Sequence, residues 1–127
     1  MTDLLEKDFT DNVVQLAKTL GWRVAHFRPA QTKQGWRTAM QGDKGFPDLV
    51  LAKAGRVIFA ELKSATGKVS KEQQEWLDEL TDHQFTYPQL IIEQSGKTIE
   101  IKPGPGEVYV WRPDDIDEIG KVLGPNA

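Results

Sequence analysis

The chain has 127 residues, 39% of them hydrophobic and 28% charged, with 16 Lys plus Arg against 19 Asp plus Glu and no cysteine. That balance fits one globular domain with a real core and excludes a disordered tail or a coiled coil; the missing thiols exclude thiol catalysis, disulfides and thiolate zinc sites. The net charge of −3 speaks against a nucleic-acid partner until its distribution is read: residues 1–20 sum to −2, 21–44 to +4 and 45–127 to −5, so a locally positive segment lies inside an acidic chain.

Leu5, Phe9, Val13, Leu16 and Leu20 follow helical spacing, with Thr2 or Asp3 as cap and Gly21 as stop. Trp22 to Phe27 reads as a strand. Arg28 to Gly45 has no periodicity and is expected to be a long, basic, irregular connection. Phe46–Lys53 and Arg56–Lys63 are β-rich runs around Ala54-Gly55, an antiparallel hairpin. Ser70 to His83 reads as a helix opening on a capping box of Ser70 and Gln73. A second hairpin is expected over 89–102, a short strand over 107–112, and a closing helical turn or two capped by Asp114. The order predicts an α/β, mixed-sheet fold with helices packed on the sheet. No apolar run approaches the ~20 residues of a membrane span. The acidic start is unlike a signal peptide, so a cytoplasmic chain without a membrane partner is expected.

The first hairpin carries the chemistry. Asp48 stands near the start of its first strand, and Glu61 and Lys63 share one face of the second, opposite Ile58, Ala60 and Leu62. An exposed cross-strand ion pair is one explanation. The other is a metal site, since carboxylates on adjacent strands repel unless a cation lies between them, and hard oxygen ligands suit Mg²⁺ or Mn²⁺. A lysine beside them orients water or stabilises charge on a phosphate under attack, the requirements of phosphodiester hydrolysis.

In order, Gly45-Phe46-Pro47-Asp48, Glu61-Leu62-Lys63 and Ser70, Gln73, Trp76, Leu77 resemble the VRR-NUC family of PD-(D/E)xK nucleases, in particular its small stand-alone members. The likeness runs over roughly residues 4–82, with Val108–Trp111 followed by Arg112-Pro113 similar to the family's closing strand. It implies a restriction-endonuclease-like core, metal ligation by Asp48, Glu61 and the Leu62 backbone carbonyl, catalysis by Lys63, and a site-facing Gln73. It also implies an acidic residue on the first helix. Glu6 is the candidate, lying about 60° from the centre of the apolar stripe, against about 100° for Asp8 and 160° for Asp11; a first-turn Glu is also favourable through the helix dipole alone. The family likeness further implies a homodimer. The chain departs from the family in an inserted hairpin at about 85–105, expected to extend the sheet or to serve a subunit interface.

Arg28, Lys33, Arg37 and Lys44 are the phosphate-contact candidates, with Trp36 for base stacking and His26 beside them; a solvated basic loop is the bland alternative. The expectation is a Mg²⁺- or Mn²⁺-dependent endonuclease for branched or structured DNA, resembling a Holliday junction resolvase and needing no nucleotide cofactor. A flap, end or duplex nuclease and a non-catalytic nucleic-acid-binding module are the competing readings.

Overall fold

A computed structural model describes residues 2–27, 30–33, 35–37, 41–81, 90–94, 97–101 and 106–124, with side chains over 6–27, 33, 35, 41–81 and 106–124. The first helix, α1, spans Thr2–Thr19. It ends as its sequence predicts: Gly21 takes a φ of +89°, and the N–H groups of Gly21 and Trp22 donate to the carbonyls of Lys18 and Ala17. This paired closure satisfies two of the helix's last carbonyls and requires a left-handed residue.

The strand β1 (Arg23–His26) follows. In the basic connection the structure corrects the sequence reading, because β2 (Ala30–Thr32) and β3 (Gly35–Arg37) pair antiparallel there. Two three-residue strands without apolar alternation leave no periodic trace. The predicted hairpin is present as β4 (Leu49–Lys53) and β5 (Arg56–Leu62), joined by Ala54 and Gly55 at φ of 49° and 83°. Positive φ at both central residues marks the tight hairpin turn that matches strand twist. The helix α2 (Lys71–Leu80) has the predicted capping box at Ser70.

The inserted segment forms β6 (Leu90–Gln94) and β7 (Lys97–Ile101), a separate two-stranded sheet rather than an extension of the central one. Instead β8 (Glu107–Trp111) pairs with β5, parallel to it; a parallel partner needs a long crossover, which α2 and the inserted hairpin supply. The chain closes with a short turn of helix at Pro113–Asp115 and α3 (Ile116–Leu123). Here too the reading is corrected. Asp115, not Asp114, stands at the N-cap position of α3 and accepts from the backbone N–H of Arg112 at 2.8 Å; the eight residues of α3 make about the two turns expected.

The central sheet has the order β1-β4-β5-β8. One face presents Leu49, Leu51, Ile58, Ala60, Leu62 and Trp111 to Phe9, Val13 and Ala17 of α1 and to Ile119 and Leu123 of α3. Burying each larger aliphatic side chain contributes roughly 1.5–3 kcal/mol. At the hairpin end this face is closed by Arg56, which makes two bonds to Glu107 at 2.7 and 2.8 Å and lies over the Trp22 ring. Trp22 Nε1 donates to the Leu123 carbonyl at 3.0 Å, tying α3 to β1. No helix among the described residues is long and apolar enough to cross a membrane. The other face of the sheet, towards α2, is where the charged residues converge.

Candidate active site

Period two along β5 puts Phe59 and Glu61 on the face opposite Ile58, Ala60 and Leu62. Leu49 pairs with Ala60, so continuing that register by one residue sets Asp48 across from Glu61. Asp48 Oδ2 accepts the Leu62 N–H at 2.8 Å, which fixes the carboxylate to the strand opposite. Glu61 is 1% exposed. The exposed ion pair that the sequence left open is thereby set aside: both charges are largely withdrawn from solvent, with the Lys63 side chain 13% exposed and its Nζ 3.6 Å from Glu61 Oε1.

Gln73 does more than its capping role. Its Oε1 accepts from the Ser70 N–H and its Nε2 donates to Glu61 Oε1 at 2.9 Å. The expected site-facing glutamine thus grips the carboxylate and ties the start of α2 to β5. The other motif residues lock the loop before Asp48 onto the same helix. Phe46 meets Trp76 edge to face with ring centroids 4.9 Å apart, Trp76 Nε1 donates to the Asp43 carbonyl, and Pro47 and Leu77 are buried.

Glu61 Oε2 is buried and has no hydrogen-bond partner among the described residues. Burial, and then the facing Asp48 carboxylate, push the Glu61 carboxyl up to about 8, and Lys63 offsets only part of this. When protonated, Glu61 can share its proton with Asp48, which raises it further. A buried carboxylate oxygen lacking a donor and opposed by a second carboxylate is uncompensated in the charged state. A hard divalent cation supplies that compensation, so Asp48 and Glu61 fit such an ion.

The remaining candidates are distributed differently. Glu6 is half-buried on α1, and among the described residues no group of three or more His, Asp or Glu side chains converges as a ligand set. His26 pairs with Leu49, which turns it to the α1 side of the sheet, away from Glu61. Lys33 is exposed, and Lys44, with an 82% exposed side chain, lies 3.7 Å from Glu72. Arg28 and the side chains of Trp36 and Arg37 lie outside the described residues.

Arg112, part of the closing-strand likeness, has a role that its sequence position does not give. Its Nη1 donates to the carbonyls of Ser64 and Gly67, both at 2.7 Å, and the Lys63 N–H donates to the Trp111 carbonyl at 3.0 Å. The turn leaving Lys63 is therefore clamped by the end of β8. Only the Arg-Pro pair closing a strand signals it beforehand, and that pair does not say which loop is held. Arg112→Ala is expected to cost roughly 2 kcal/mol and to speed amide exchange over residues 64–70, read by hydrogen exchange; unchanged protection there would dismiss the clamp.

Helices on a mixed four-stranded sheet, with two opposed carboxylates and a lysine at one end of its central hairpin, define an α+β fold consistent with a restriction-endonuclease-like core. The VRR-NUC domain model matches residues 12–89, and the chain belongs to that family. The matched span holds Asp48, Glu61, Lys63 and Gln73, and excludes Glu6 and Arg112. Membership implies a nuclease-type function with DNA as substrate. No curated protein matches the chain.

Proposed function

We propose that the chain is a divalent-metal-dependent endodeoxyribonuclease acting on branched or structured DNA. The single observation that carries the metal requirement is the buried Glu61 Oε2, facing Asp48 and without a hydrogen-bond partner among the described residues. In this reading Asp48, Glu61 and the Leu62 carbonyl hold Mg²⁺ or Mn²⁺, with Glu6 joining directly or through water. Bound there, the cation supplies positive charge that polarises a phosphate oxygen and lowers the pKa of water.

The protein's own groups do the rest. The Leu62 N–H holds one oxygen of Asp48, and Gln73 holds Oε1 of Glu61, so both carboxylates are set before substrate arrives. Lys63, beside Glu61, orients the attacking water and stabilises charge on the phosphate. Cleavage leaves a 3′-hydroxyl and a 5′-phosphate, as the family chemistry implies. Lys33 and the basic residues around it meet the phosphate backbone. The family likeness also supports a homodimer whose two sites make paired incisions in a junction.

The test is incubation of purified protein with labelled four-way junction, flap, single strand and duplex, in Mg²⁺, Mn²⁺ or EDTA. Metal-dependent cleavage is expected, with the junction preferred, and Lys63→Ala should lower the rate roughly a hundredfold or more. No cleavage of any substrate, or full activity in Lys63→Ala, would end the nuclease reading.

A further inference from the structure

One exposed aromatic ring stands in line with the carboxylates. His26 pairs with Leu49, and one residue further on the Phe27 N–H donates to the Asp48 carbonyl at 2.9 Å, so Phe27 lies across from Asp48 as Asp48 lies across from Glu61. Residues directly opposed in antiparallel strands point to the same face. Phe27, Asp48 and Glu61 therefore form one row on one side of the sheet.

The ring contacts agree with this placement. Phe27 meets Phe46 edge to face at 5.4 Å, and Phe46 meets Phe59 at 6.1 Å; Phe59 precedes Glu61 by two residues on the same face. Phe46, Phe59 and Trp76 are half-buried, whereas Phe27 at 40% is among the most exposed large hydrophobic residues described. Opposed side chains on neighbouring strands start about 5 Å apart, so the ring stands within a nucleotide's reach of a phosphate at Asp48. A phenyl ring beside two carboxylates offers nothing to an anion. It offers a flat apolar surface to the face of a base, which every nucleotide carries.

We propose that Phe27 is a specificity-determining residue that stacks on the base flanking the scissile phosphate. Within continuous duplex that base is stacked on both neighbours and must leave them to reach the ring, whereas at a branch point or flap the stack is interrupted and leaving it costs less. The ring thereby favours structured DNA. This inference rests on the nuclease reading above.

The test begins by mapping the bond that the wild-type chain cleaves on a four-way junction in Mn²⁺. Binding is then measured in Ca²⁺, with the flanking nucleotides left intact or made abasic one at a time. Phe27→Leu is expected to weaken binding to intact DNA roughly tenfold, the effect of one lost base stack. At one flanking position the abasic change should weaken wild-type binding equally, and there Phe27→Leu should add no further loss. Phe27→Tyr should behave as wild type. Equal losses in Phe27→Leu on intact and abasic DNA would mean a packing role and overturn the inference; so would no loss on either. If Phe27→Leu does not fold, wild-type affinity that is indifferent to both abasic positions overturns it without a variant. Wild-type cleavage reports separately on the nuclease reading.

Discussion

Glu61→Gln is expected to stabilise the metal-free chain at pH 8 while lowering metal-dependent cleavage roughly a thousandfold or more. In the folded chain the Glu61 carboxyl titrates at about 8, against 4.5 for the ordinary group. Between those values the native state holds a proton that the unfolded state has released, so stability falls as pH rises. The contribution is complete below about 4.5 and is lost by the time the pH has passed about 8. Gln cannot ionise and removes that slope. With each pKa unit equivalent to about 1.4 kcal/mol, the difference reaches the order of a few kcal/mol. Thermal melts of both proteins in EDTA from pH 5 to 9 measure it. Parallel curves would show that Glu61 is not the group responsible. Mg²⁺ or Mn²⁺ should restore wild-type stability at high pH, by binding the folded state alone, and should do little for Glu61→Gln.

Gly45→Ala is expected to cost roughly 3 kcal/mol or more and to depress activity in whatever fraction remains folded. Gly45 has a φ of +98°, and a Cβ there would lie 2.6 Å from the carbonyl carbon of Glu72 and 2.8 Å from the Gln73 nitrogen. Both are backbone atoms in the first turn of α2, so relief requires moving the helix start, and with it the glutamine that holds Glu61. Gly42→Ala is the matched control: its φ is +115°, but a Cβ would meet nothing within 4 Å among the described residues, and it should cost only the left-handed strain, about 1 kcal/mol. Denaturant titration compares the two. Equal losses would show that the close approach to α2 contributes nothing.

The hairpin holding Asp48, Glu61 and Lys63 is legible in sequence because its signals are local: alternation along each strand and a two-residue turn between them. The α2 cap is legible for the same reason. Gln73 illustrates the limit. Its spacing from Ser70 predicts the cap, but its bond to Glu61 depends on how α2 crosses the sheet, which no local pattern encodes. The parallel pairing of β8 with β5, and the Arg112 clamp that follows from it, likewise join residues some fifty positions apart, with Arg56 and Glu107 as the paired example. The β2–β3 pair fails to register because its strands carry too few apolar positions to alternate. The inserted hairpin is recognisable as a hairpin, yet its sequence does not say whether it joins the central sheet.

Ala54 and Gly55, at the far end of the hairpin, touch neither carboxylate. They nonetheless act as a ruler. A two-residue turn admits one register, and that register, counted along five paired residues, decides which side chain stands across from Asp48. A one-residue slip would bring Ala60 or Leu62 to that place and turn Glu61 towards α1. The apolar layer and the carboxylate pair are thus read off the same count, so a chain that packs its core correctly has already assembled its site.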